Sequence, residues 1–365
     1  MSKSVAKKPV TKISFHLKYK TSFGQGIYIY GSHPQLGNNN INEAIPMVFL
    51  NNDYWVLHVD LVEQKGQEKV VYHYFIQNAD GTKVFDAGVD KTFDIAQLSA
   101  KELVLIDSWN FTGYKENAFY TSPFSNVLLK TAENQKELSV IDKKATHVFR
   151  VKTPLLQPHQ TICVVGESKL IGAWDTAKAL PLVKIKGEQY YELSLDLAKS
   201  NFPFVYKYGI YDTQSKSFVS FEEGNNRVVY EPVGQGKLVI VNDGFVNINV
   251  GNWKGAGVAI PVFSLRSKQS AGVGEFADLK LLVDWAKEVG LKLIQILPIN
   301  DTTATHTWMD SYPYAAISAF ALHPMYIRLE AILTKDQQTL LKPYLSEIHA
   351  LNNLPEVDYE GVMKL

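Results

Sequence analysis

Between residues 166 and 227 the chain sets flat rings beside hydrogen-bonding side chains at short intervals. Gly166 is followed by Gly172-Ala173-Trp174, Lys207 stands between Tyr206 and Tyr208, and Ser220-Phe221-Glu222-Glu223-Gly224-Asn225-Asn226-Arg227 closes the set. One face of a sugar ring carries axial C–H bonds and is apolar, so an aromatic ring gives it large contact area at little entropic cost. Trp174 on a turn and Phe221 at a strand end are candidate platforms. Lys207, Glu222 and Asn226 can hydrogen-bond hydroxyls and fix register. Lys207 alternates with its tyrosine neighbours and points away from them. Each residue type also has a plain structural use: Phe221 in a core, Glu222 and Asn226 in a turn. Arg227 reads as structural.

Strands must position these groups. His147–Lys152, Thr161–Val165, Tyr190–Leu195 and Phe204–Ile210 are β-prone. The same rhythm runs earlier, in Ile13–Tyr19, Ile27–Tyr30, Tyr54–Leu61 and Val70–Ile76, with turn residues at 24–26, 37–40, 51–53 and 80–81. Short strands at such spacing predict all-β sandwiches or barrels. The two stretches are copies. Gly31 and Gly37 return as Gly166 and Gly172 at an offset of 135, Tyr72-His73-Tyr74 returns as Tyr206-Lys207-Tyr208 at 134, and Phe85-Asp86 returns as Phe221-Glu222 at 136. A near-constant offset is the mark of an internal repeat. Residues 11–110 and 145–250 are therefore read as a tandem duplication. Residues 111–144 read as a linker, with Asn117–Phe124 irregular and the charged stretch Lys130–Lys144 solvated.

In order and type, the set around Trp174 resembles carbohydrate-binding module family 20, the starch-binding domain of amylolytic enzymes. Its pattern of a Leu-Gly-x-Trp turn, a Tyr-Lys strand, Trp-Glu and Asn-Arg is met here with Ile171 for Leu and Phe221 for the second Trp. The resemblance implies immunoglobulin-like sandwiches and a main site of Trp174, Lys207, Phe221, Glu222 and Asn226. Tyr190 falls near another family aromatic and is expected in the core or at a second site. The first copy has Asn39 for Trp174 and His73 for Lys207, keeping Phe85 and Asp86. A weakened site or a structural role is expected there.

The pattern changes after Trp253. Gly257–Phe263 is a continuous apolar run, as for a strand buried on both faces. Asp278–Val289 has helical spacing at Leu279, Leu282, Val283, Ala286 and Val289, with Asp278 as cap and Gly290 as stop. Lys292–Leu297 is a second strand ended by Pro298. Strand, helix, strand predicts a parallel βαβ unit. Gly257-Val258-Ala259-Ile260-Pro261, Ser264-Leu265-Arg266-Ser267, Gly272-Val273-Gly274-Glu275-Phe276, Leu291–Pro298 and Asp310-Ser311-Tyr312-Pro313-Tyr314 resemble the opening of the 4-α-glucanotransferases of glycoside hydrolase family 77. The usual Asp-Ser-Pro-Tyr motif carries Tyr312 as an insertion here. The resemblance implies that residues 251–365 are the first part of a (β/α)8 barrel, with Tyr314 touching sugar and Asp310 and Ser311 shaping its loop. It also implies retaining transfer through two carboxylates. Those carboxylates belong to later strands in the family, so no catalytic residue is expected in this chain. The chain alone is expected to bind glucan without transferring it. A stand-alone glucan-binding protein is the alternative.

Composition agrees with a neutral ligand. Lys plus Arg and Asp plus Glu number 37 each, and aromatics make up 12% of 365 residues. No basic excess points to nucleic acid and no apolar span points to a membrane. The first ten residues lack the apolar core of a signal peptide. Cys163, the single cysteine, cannot form an internal disulfide. No metal-ligand motif occurs among the nine histidines. The expected partners are α-glucans such as starch, glycogen, maltodextrin and maltose, with no cofactor and no metal, in the cytoplasm.

Overall fold

The computed structural model describes residues 10–62, 69–88, 91–95, 102–129, 144–232, 234, 236–248 and 253–365. Of the solvated stretch expected over Lys130–Lys144, residues 130–143 lie outside them. The described chain divides into two compact units, 1–252 and 253–365.

In the first unit the alternating segments become strands. Val10–Lys18 pairs antiparallel with Tyr54–Val62 and parallel with Glu102–Ser108. Gly26–Gly31 pairs with Lys69–Gln77, which also holds Lys83–Phe85 and Thr92–Asp94. The second copy repeats this. His147–Lys152 lies between Tyr191–Leu195 and Lys237–Phe245, and Gln160–Gly166 pairs with Phe204–Asp212, which holds Ser217–Phe221 and Arg227–Val229.

The copies are not separate. Their last strands, Glu102–Ser108 and Lys237–Phe245, pair in parallel from Lys237↔Glu102 to Asn242↔Asp107, completing one eight-stranded sheet. Each copy adds a five-stranded sheet of its own. Side-chain alternation decides which face each covers. Leu103, Leu105, Leu238 and Ile240 enter the core beneath the first copy's small sheet, with Ile13, Phe15, Ile27, Ile29, Tyr72 and Tyr74. Val239 and Val241, with Val104 and Ile106 packed alongside, enter the core beneath the second, with Phe149, Ile162, Val164, Tyr206 and Tyr208. The small sheets therefore cover opposite faces of the shared sheet.

A one-residue slip explains this. Paired residues differ by 135 positions. Residues with the same job differ by 136: Asp107 accepts from the hydroxyls of Tyr72 (2.9 Å) and Tyr74 (2.7 Å), and Asp243 accepts from Tyr206 and Tyr208 (2.8 Å each). Shifting a strand by one residue turns its side chains to the other face. Burial pushes the Asp107 carboxyl and the Tyr74, Tyr206 and Tyr208 hydroxyls upward. Asn242 donates to Asp107 at 2.5 Å across the junction.

The repeated glycines have a steric basis. A Cβ on Gly31 would lie 2.6 Å from the Val71 carbonyl oxygen, and one on Gly166 2.3 Å from that of Val205. Residues 111–129 are not a plain spacer. Asn117 donates to Asn110 and to the Phe111 carbonyl, and Tyr114 and Tyr120 both lie near the Phe245 ring. Cys163 is fully buried, and burial pushes its thiol up to about 12. Iodoacetamide at pH 8 should therefore leave it unmodified in the folded protein and label it in denaturant. Rapid labelling of folded protein would contradict this burial.

In the second unit Gly257–Ile260 pairs in parallel with Leu293–Ile296, and the helix Asp278–Glu288 lies between them in sequence. The expectation of strands buried on both faces is not met: every other residue of both strands is exposed, Leu293 at 48%. The helix buries Leu282 and Ala286 and exposes Val283, Trp285 and Val289. Asp278 is not its cap. Ala277 holds that position, and Asp278 is the first helical residue, buried and bound to Ser267, Ser270 and Arg328. Gly290, at φ 78°, follows the helix end as expected. No described helix is long and apolar enough to cross a membrane.

Candidate functional site

The outward face of the second copy's small sheet is set by alternation. Tyr206, Tyr208 and Ile162 face the core, so Lys207, Gly209, Cys163 and Val165 face out. Phe221 pairs with Gly209 and shares that face. A Cβ on Gly209 would meet the Phe218 ring at 2.5 Å, so glycine is what lets the rings lie close to the strand. Phe218 and Phe221 are 4.6 Å apart between ring centres.

The Trp174 turn reaches the same side. Lys169–Trp174 packs on Gln160–Gly166, and Thr176–Lys178 lies against Ser217–Phe221. Ala179 then packs with Cys163 and Val165. Gly172, Ala173 and Trp174 are all left-handed, at φ 89°, 48° and 63°. That conformation costs roughly 1–2 kcal/mol per non-glycine residue. A half-exposed tryptophan kept there is a strained residue of the kind that accompanies function. The first copy uses asparagines, which tolerate this conformation, at Asn38 and Asn39 (φ 49° and 62°).

Trp174 and Phe221 are each 38% exposed, and Asn226 is exposed. The Lys207 ammonium donates to the Gly224 carbonyl at 2.6 Å, bracing the loop that carries Asn226.

Glu222 does not join them. It is 3% exposed and faces inward, because it follows Phe221 on an extended strand. Its carboxylate accepts from Arg227 Nε (2.9 Å) and Nη2 (2.8 Å) and from the Tyr208 amide (3.0 Å). Arg227 also donates to the carbonyls of Asp243 and Phe245. The expected sugar contact by Glu222 is thus corrected to a buried brace, and Arg227 is structural as expected. Asp86 is the same brace in the first copy: it accepts from Lys91 (2.5 Å) and from the Asn110 amide (2.6 Å). Phe85, 41% exposed, stays on the outward face. Tyr190 is buried under the Arg150 guanidinium, 4.6 Å from its ring centre, at the junction of the two copies, where Arg150 donates to Glu192 and to the Thr92 carbonyl. It belongs to a core contact. Alternation alone could have separated Glu222 from Phe221; the partners of Tyr190 left no signal in the sequence.

In the second unit Asp310 is buried and accepts from the amides of Ala304, Thr305 and His306, and hydrogen bonds from these and from the Thr305 hydroxyl hold its carboxyl below the usual range against the opposing effect of burial. It ties residues 304–306 to the short turn Trp308–Ser311. Ser311 is exposed, and Tyr314 is 59% exposed with its ring 5.6 Å from that of Tyr312. Glu275 and Asp278 both bind Arg328, a buried network the sequence did not suggest. No group of three metal-ligating side chains occurs among the described residues.

A family model described as "Starch binding domain" matches residues 10–104 and 145–238, and one described as "4-alpha-glucanotransferase" matches 260–365. The 4-alpha-glucanotransferase DPE2 of Oryza sativa subsp. japonica is 34% identical over 361 residues, 95% of this chain and 37% of that protein. The 4-alpha-glucanotransferase of Chlamydia trachomatis serovar D is 38% identical over 109 residues, 30% of this chain and 20% of that one. This chain thus spans about a third of the rice protein and a fifth of the chlamydial one. Among solved structures, the family 20 carbohydrate-binding module of a maltotetraose-forming amylase from Pseudomonas saccharophila aligns at 18% identity and TM-score 0.22, covering 26% of this chain and 97% of that one. A family 15 glucoamylase from Hypocrea jecorina aligns at 22% identity and TM-score 0.25, covering 29% and 18%.

Proposed function

The chain belongs to the starch binding domain family, with two matches that together cover more than half of it, and from that premise we propose that it holds α-glucan for a 4-α-glucanotransferase whose barrel begins at residues 251–365. The observation that carries this reading is the order of the matches: two starch-binding segments, then a 4-alpha-glucanotransferase segment, in a chain aligned over 95% of its length with one such enzyme. In this reading 11–110 and 145–250 are immunoglobulin-like sandwiches, 111–144 joins them, and 251–365 opens a (β/α)8 barrel. The exposed strand and helix faces of that segment are what further barrel elements would cover. The whole enzyme would move α-1,4-glucosyl units by double displacement, in the cytoplasm, with starch, glycogen or maltodextrin as partner.

Within the second module, Trp174 and Phe221 stack against glucose rings, and Lys207 and Asn226 bind hydroxyls. Glu222 positions this face without touching sugar. In the barrel segment Tyr314 contacts sugar, with Asp310 and Ser311 setting its loop. The test is calorimetric titration with β-cyclodextrin. Trp174→Ala should weaken binding at this site about 10- to 100-fold, the effect of truncating a central aromatic. Unchanged affinity at that site would refute the assignment.

A further inference from the structure

The first module's outward face is rebuilt rather than stripped. Where the second module has Cys163, Val165, Lys207, Gly209 and Phe221, the first has Tyr28, Tyr30, His73, Phe75 and Phe85 on paired strands. Tyr28 stacks on Phe75 with centres 5.1 Å apart and planes 4° from parallel. Phe85 lies 5.7 Å from Phe75, and Tyr30 lies 5.2 Å from His73. The Lys83 ammonium sits 5.0 Å from the Phe75 ring centre. Phe75 is buried beneath, Tyr28, Tyr30 and His73 are half-buried, and Phe85 is exposed. The result is a contiguous aromatic patch, with Phe75 at its base, edged by hydroxyls, an imidazole and an ammonium. That chemistry suits a chain of glucose rings, apolar on one face and ringed by hydroxyls.

The two outward faces also look to opposite sides. The small sheets cover opposite faces of the shared sheet, so the outer planes are about 20 Å apart at the usual ~10 Å sheet spacing. The shared sheet twists by about 20–25° per strand, which over the four strands between module centres still leaves the faces about a right angle apart. A short glucan cannot lie on both.

We propose that the first module's face is a second α-glucan platform, and that the two platforms each take a separate glucan chain, so that this unit joins two chains instead of gripping one. This rests on the glucan-binding reading given above. Maltoheptaose titrated into the full chain should bind at two sites. Trp174→Ala should leave one of them intact. Tyr30→Ala with Phe85→Ala should leave the other and weaken its own at least about tenfold. Phe85→Ala alone, at an exposed position, should weaken the same site in a Trp174→Ala background, which guards against misfolding of the double variant. With soluble amylopectin, light scattering should rise for the unmodified chain and for neither single-face variant.

Loss of all maltoheptaose binding in Trp174→Ala would sink this inference and leave the glucan-binding reading standing. A stoichiometry of one for the unmodified chain, or scattering that persists in a single-face variant, would equally overturn it. A chain that binds no maltoheptaose would overturn both.

Discussion

Glu222→Ala should destabilise the first unit by about 3 kcal/mol, the lower end of the cost of breaking a buried ion pair by removing one partner. The variant takes from the Arg227 guanidinium the carboxylate that chelates it and leaves it the Asp243 carboxylate at 3.4 Å and the Asp243 and Phe245 carbonyls. It also leaves the Tyr208 amide without its side-chain acceptor. Glu222→Gln keeps an acceptor for that amide and loses the charge, so it should fall between. Urea denaturation measures both. At temperatures where the variant stays folded, titration with β-cyclodextrin should give an affinity within a few-fold of the unmodified chain. A variant of unchanged stability and much weaker binding would restore Glu222 as a sugar ligand and remove the brace.

Acidification should destabilise the same unit through His147. This side chain is buried against Phe149 and Phe202, and its Nε2 has no hydrogen-bond partner. Burial lowers its pKa from 6.5 to about 4, with Asp196 opposing. Between those values the unfolded chain binds a proton that the folded chain does not, so stability rises with pH. The contribution is complete above about pH 6.5, is lost as pH falls towards 4, and levels off below. At 1.36 kcal/mol per unit the full loss is about 3 kcal/mol. Stability measured at pH 7.5 and 4.5 should drop by about 2–3 kcal/mol more for the unmodified chain than for His147→Phe, whose ring does not titrate. Equal drops would mean that His147 is protonated in the folded protein.

Much of this was legible beforehand because backbone constraint leaves marks in residue type. Gly31 and Gly166 recur because a neighbouring carbonyl fills the space of a side chain, and Gly37 and Gly172 recur because both are left-handed. Tyr206-Lys207-Tyr208 told its faces through alternation. Glu222 differs from its expected role because a carboxylate next to a platform ring resembles a ligand when spacing along the chain is considered without the strand's two faces. Phe221 out requires Glu222 in. Tyr28, Tyr30 and Phe75 give no signal for the opposite reason: β-prone aromatics in strands read as core, and only the pairing of Gly26–Gly31 with Lys69–Gln77 puts them together outside. The joining of the two copies was not legible at all. It depends on which edge strands meet and in what register, and the one-residue difference between pairing and function emerges only when Asp107 is set against both Asn242 and Asp243.

The shared sheet also bears on what counts as a part in this protein. Excising either copy would strip the partner from a strand of seven or nine residues, Glu102–Ser108 or Lys237–Phe245, and would bare apolar side chains that now fill the neighbour's interior. Such an edge is a template for pairing with another chain. The piece that can be transplanted, or lost and gained in descent, is therefore the doublet. Neither half can shed its last strand without uncovering the other. The outward faces, which no strand pairing fixes, carry a tryptophan turn on one side and an aromatic cluster on the other.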